Sequence, residues 1–160
     1  MAAQAWITEA NKHVGLYEKK GPTHHPEILK FWKDIKRGGI KDDETPWCAA
    51  FVGAMLERCG IRSTRFESAK SYLQWGVTLT NPVVGCVVVF SRDGGGHVGF
   101  FLGYDKKGNL LVLGGNQSDG VNVRAFPVER ATGYRYPATL PIPTTTVPIL
   151  SAGLLAVKES

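Results

Sequence analysis

Cys48, His97 and Asn116 are the residues whose types and order suggest chemistry. Cys48 falls where a helix should begin: Thr45 can cap it, Pro46 fits its first turn, and Gly60 follows its end. Unpaired backbone N–H groups and the positive end of the helix dipole favour a thiolate there, the nucleophilic form of cysteine. The competing reading is a buried, inert thiol. Cys59 and Cys86 keep that inert reading, because Cys59 lies on the core stripe near the helix end and Cys86 is flanked by valine. Cys48 and Cys59 should sit about 16 Å apart along one helix, which excludes a disulfide between them. The chain has three cysteines and no CxxC, so a zinc ribbon or a thioredoxin-type dithiol is not expected.

A nucleophilic cysteine needs a histidine to take its proton and a third group to orient the ring. Of the four histidines, His13, His24 and His25 belong to an N-terminal helix and loop and read as solvated or capping residues. His97 opens a strand directly after Gly94-Gly95-Gly96, and bare positions such as Gly96 give a substrate backbone room beside the imidazole. A hairpin centred on Lys106–Lys107 sets Asn116 opposite His97, on the same face and within hydrogen-bonding reach. A slip of one residue puts Gly115 or Gln117 there instead, and Asp119 is a further choice if the loop folds back. The competing reading of Asn116 is a turn residue that satisfies its own backbone.

Two amphipathic helices are expected first, over Ala5–His13 and Pro26–Lys36, then the Cys48 helix and a shorter one over Ser68–Trp75. After Gly76 the period becomes extended. Strands are expected over Val83–Phe90, His97–Tyr104, Leu110–Gly114, Val121–Phe126 and Thr132–Tyr136, with a turn at Asp105-Lys106-Lys107-Gly108. Helices followed by a meander of strands imply an α+β fold with an antiparallel sheet of about five strands. From Pro137 the composition shifts to Pro and Thr and then to an apolar end. The expected organisation is one catalytic domain over 1–136 and a tail over 137–160 of unassigned role.

The chain has 160 residues, 43% hydrophobic and 21% charged, which fits one globular domain and excludes wholesale disorder. Its net charge of +5 favours an anionic partner but is too mild to point to nucleic acid. No apolar run reaches the length of a membrane span, and the first residues lack the pattern of a secretory signal. The nucleophile elbow GxSxG, the phosphate loop and HExxH are absent. Asp42-Asp43-Glu44 lacks the alternating ligands of a calcium loop, so neither metal nor cofactor is expected.

Thr45-Pro46-Trp47-Cys48-Ala49-Ala50-Phe51-Val52, the Gly96-His97-Val98-Gly99-Phe100 strand and Gly114-Gly115-Asn116-Gln117 together resemble the CHAP-type (cysteine, histidine-dependent amidohydrolase/peptidase) cell-wall hydrolases. The small single-domain form found among bacteriophage endolysins is the most similar. The resemblance spans about residues 5 to 136. It implies a papain-like α+β fold and cleavage of a peptidoglycan amide bond, with Cys48 as nucleophile, His97 as general base and then acid, and Asn116 as the orienting residue. Cys86 stands where relatives carry an aspartate. Asp43 and Glu44 either complement the helix dipole or meet a cationic group of the substrate. Trp47, with Tyr72 and Trp75, either lines a groove or belongs to the core. The resemblance further implies a monomer made in a host cytoplasm, released through a holin-type partner and acting in the periplasm or cell wall. An interbacterial toxin, another cysteine amidase and a non-catalytic wall-binding module are the alternatives.

Overall fold

The computed structural model describes residues 4–17, 26–37, 47–92, 95–118 and 120–150. Helices α1 (Ala5–Asn11), α2 (Pro26–Asp34) and α3 (Cys48–Arg58) precede strands β1 (Val77–Leu79), β2 (Val87–Arg92), β3 (Gly95–Tyr104), β4 (Leu110–Gln117), β5 (Gly120–Phe126) and β6 (Ala131–Tyr136). The strands form one antiparallel sheet in the order β1-β6-β2-β3-β4-β5. The fold is α+β, as the order of patterns requires.

The sheet has one strand more than the sequence pattern predicts. Strand β1 is three residues long and only half-buried at its ends, too short to show a period. The apolar run from Val83 splits, because its first part closes a turn with Cys86 N–H on the Val83 carbonyl at 3.0 Å, and the strand starts at Val87. The segment Ala69–Gln74 is a 3₁₀ turn rather than an α-helix. Residues 148–150 pair with Tyr104 at the end of β3. Tyr104 N–H donates to the Pro148 carbonyl at 3.0 Å and Leu150 N–H to the Tyr104 carbonyl at 2.7 Å, so this part of the tail is packed in place. Among the described residues no helix is long and apolar enough to cross a membrane.

Helix α3 is the structural keel. All residues from Cys48 to Leu56 are buried, and α3 packs on α2, β3 and β4. Its N-cap is Trp47, which makes no side-chain cap hydrogen bond. Thr45 and Pro46, the expected cap and first-turn residues, lie outside the described residues. Packing anchors the helix: Phe51 meets Phe31 at 5.5 Å and Phe100 at 6.4 Å between ring centroids, both edge-on. Each buried ring contributes roughly 1.5–3 kcal/mol, more than the ~1 kcal/mol of a typical cap.

Candidate active site

Cys48 is the first residue of α3 and is 4% exposed. The helix comes close to the sheet because β4 is bare where the two meet. A methyl group on Gly115 would run into Trp47 and Phe51 at 2.6–2.7 Å. On the neighbouring residue, a methyl group on Gly114 would stand 3.5 Å from His97 Nε2. Gly115 is thus bare toward the start of α3, and Gly114 is bare toward His97 and Gln117.

His97, 3% exposed, is at the start of β3 and opposite Phe90 on β2. Its ring lies nearly parallel to Phe126 at 5.5 Å and to Phe90 at 6.2 Å. Gln117 Oε1 lies 2.9 Å from the imidazole Nε2. An amide oxygen only accepts, so His97 Nε2 is the donor and carries a proton. The amide cannot turn over, because Gln117 Nε2 donates to the Asn122 carbonyl at 2.9 Å, to Asn122 Oδ1 at 3.0 Å and to the Val112 carbonyl at 3.3 Å. Asn122, fully buried, donates in return to the Gln117 carbonyl at 2.7 Å. This closed network fixes the ring's orientation and its tautomer, so in the neutral ring Nδ1 is the basic nitrogen.

The residue opposite the imidazole thus differs from the expected Asn116, and the reason is a bulge. Strand β4 pairs with β5 through Gly114↔Asn122 and then Gln117↔Gly120, which leaves one extra residue on β4. Asn116 takes a left-handed backbone with φ of 58° at that bulge. An inserted residue reverses the alternation of side chains, and Gln117 turns onto the face of His97. Asn116 is half-buried and lines the same cavity as His97 and Gln117.

That cavity, of about 300 Å³, is also lined by Ser118, Arg124, Phe126 and Arg130; Cys48 is not among its lining residues. Trp47 is fully buried against Phe31, with ring centroids 6.2 Å apart, so it belongs to the core and lines no groove. Beside Gly96 a would-be methyl stands 3.0 Å from the Phe90 carbonyl and 3.2 Å from the Lys70 side chain, so the bare position makes room for these neighbours. Asp43, Glu44, Gly94 and Asp119 lie outside the described residues. Asn122, Arg124 and Arg130 were not singled out by the sequence, although Asn122 interrupts the apolar run of its strand, a polar signature within a core.

The other two thiols are unsuited to ionise. Burial pushes Cys86 up to about 12. Burial and the nearby Glu9 charge raise Cys59 above the ordinary thiol range. None of the three cysteines is in a disulfide. Among the described residues no group of three or more His, Cys, Asp or Glu side chains is placed to hold a metal ion.

Comparison with known proteins bears on this arrangement. Residues 40–116 match the family model described as the CHAP domain, a segment that contains Cys48, His97 and Asn116. The fold is similar to the crystal structure of an NlpC/P60 family protein from Bacillus cereus ATCC 10987, with a TM-score of 0.55 and 20% sequence identity. The alignment covers 86% of this chain and 41% of that one, so this chain spans less than half of its structural relative. No curated protein matches the chain.

Proposed function

We propose that the chain, whose residues 40–116 match the CHAP domain model, is a peptidoglycan hydrolase that cuts an amide or peptide bond by thiol catalysis, and that it serves as a phage endolysin. The family match supports a peptidoglycan-related cysteine peptidase or amidase. The observation that carries the mechanism is the 2.9 Å contact of His97 Nε2 with Gln117 Oε1, held by Asn122. A histidine locked in one tautomer at a cavity wall is poised to exchange a proton through Nδ1.

In this reading Nδ1 takes the Cys48 proton as Sγ attacks the scissile carbonyl. The resulting imidazolium protonates the leaving amine, and a thioester remains on Cys48. Water then attacks the thioester, giving its proton to His97, and the carboxylic product and the thiol are released. The backbone N–H of Cys48, at the start of α3, is one donor to the oxyanion. Gln117 is the orienting residue, with Asn116 beside it on the cavity wall. Burial of Cys59 and Cys86 in environments that oppose ionisation supports Cys48 as the nucleophile.

The endolysin role rests on the likeness of the Thr45–Val52, His97 and Asn116 blocks to the small phage form. It implies residues 1–136 as the catalytic unit and release through a holin-type partner. The test is turnover on purified sacculi with mass spectrometry of the products. New amino termini within stem peptides mark an endopeptidase, and loss of the lactyl-alanine linkage marks an amidase. Cys48→Ala should reduce release at least about a thousandfold. Equal release by the variant rejects thiol catalysis.

A further inference from the structure

Among the described residues that line the cavity beside His97, the charged ones are arginines. Arg124 on β5 and Arg130 just beyond it both line the cavity, and no acidic side chain among the described residues does. No described carboxylate lies within ion-pairing distance of either guanidinium. By contrast, Arg58 meets Glu9, Glu27 and Asp34 at 2.9–3.2 Å, and Arg65 meets Glu57 at 2.9 Å. Two exposed arginines without such partners, on one concave wall, form a ready receptor for an anion.

Both are held in place. Arg130 lies over the Phe126 ring at 5.7 Å, and Phe126 stacks on the His97 imidazole at 5.5 Å. Arg124 Nε donates to Asn122 Oδ1 at 3.3 Å, the same amide that secures Gln117. Arg130 is therefore one residue removed from the imidazole, through the Phe126 ring, and Arg124 two, through Asn122 and Gln117. The Ser118 hydroxyl adds a neutral donor to the wall.

We propose that Arg124 and Arg130 form a subsite for a carboxylate carried by the stem peptide next to the scissile bond. Chemistry and size select that ligand. Planar guanidinium groups match a carboxylate in two parallel hydrogen bonds. A volume of about 300 Å³ stands at the small end of the roughly 300–1,000 Å³ of ligand pockets, suited to a single amino-acid residue. Stem peptides present carboxylates both at an internal γ-linked residue and at the C-terminus. This inference rests on the peptidoglycan reading for the identity of the ligand, while its test depends on binding and not on turnover.

The experiment uses Cys48→Ala protein, which leaves the substrate uncut, and calorimetric titration with three synthetic stem peptides: the free diacid, one amidated at the internal carboxylate, and one amidated at the C-terminus. The diacid should bind at least about tenfold tighter than one of the two amides, and that amide identifies the carboxylate held. The advantage should vanish in Arg124→Gln/Arg130→Gln, whose fold is checked by circular dichroism, and return in part with the lysine pair. Equal affinity for all three peptides, no binding of any, or a preference that survives the double substitution overturns the subsite. Failure of the hydrolase reading shows separately, as wild-type protein that binds these peptides and releases nothing from sacculi.

Discussion

Two polar regions of this molecule use the same residue types to opposite ends. Around the far end of α3, Arg58 is clasped by Glu9, Glu27 and Asp34 and lies over the Phe31 ring at 5.5 Å. Burial pushes the Glu9 carboxyl up, but hydrogen bonds from Lys12, Arg58 and His13 outweigh it and hold the group below the usual carboxylate range. Every charge there is answered from within the chain. Beside His97, Arg124 and Arg130 face a cavity with no described carboxylate to meet them. Charge satisfied internally ties helices together, whereas charge facing a cavity remains open to an anion from outside the chain. Residues in the first region should therefore govern stability, and residues in the second should govern turnover.

Gln117→Ala is the sharpest way to break that division. It removes the acceptor that orients the imidazole, and a ring misplaced by about an ångström costs on the order of a hundredfold in rate. Hydrolysis of sacculi per folded molecule should fall by that amount, and the thermal midpoint should fall too, because the buried Asn122 side chain and Val112 carbonyl lose their donor. An unchanged rate per folded molecule would make Gln117 purely structural.

Arg58→Ala should do the reverse. It leaves three carboxylates crowded on α1 and α2, and a partly exposed network of this kind is worth about 1–2 kcal/mol. Urea unfolding should register the loss, while the rate per folded molecule stays unchanged. A drop in that rate would join the two regions into one.

A smaller effect concerns acid. Glu9 and Glu57 both titrate below their unfolded values, Glu57 because bonds from Arg65 and Ser63 overcome its burial. Their stabilisation is fully present above the unfolded carboxylate pKa of about 4.3, and is lost as pH falls through the depressed folded values. Unfolding free energy should thus decline from near pH 5 downward, and the slope should flatten in Arg65→Ala. An unchanged slope would remove Glu57 from the cause.

Much of this was legible in the sequence because its signals are local. The apolar stripe of α3, the glycine turns and the β-branched run of β2 are written within short windows. The register at His97 was harder. A hairpin centred on Lys106–Lys107 misses the observed Tyr104↔Leu110 pair by one residue, yet an extra residue at Leu102 restores the expected Phe101↔Val112 and Phe100↔Leu113 pairs. The second irregularity, at Asn116, has no compensating partner before the site and exchanges Gln117 for Asn116. Bulges answer to packing from distant parts of the chain, here Trp47 and Phe51 pressing on Gly115, and such contacts leave no local pattern. The return of residues 147–150 to Tyr104 is invisible for the same reason.

The central claim is that the thiol at the start of α3 is activated by the histidine that Gln117 holds. Brief exposure to iodoacetamide near neutral pH, followed by peptide mapping, measures this directly in wild type and His97→Ala. Cys48 should be alkylated first, ahead of the more exposed Cys59, and its rate should fall by about tenfold or more without the imidazole. Labelling of Cys59 before Cys48, or a Cys48 rate indifferent to His97, would contradict it.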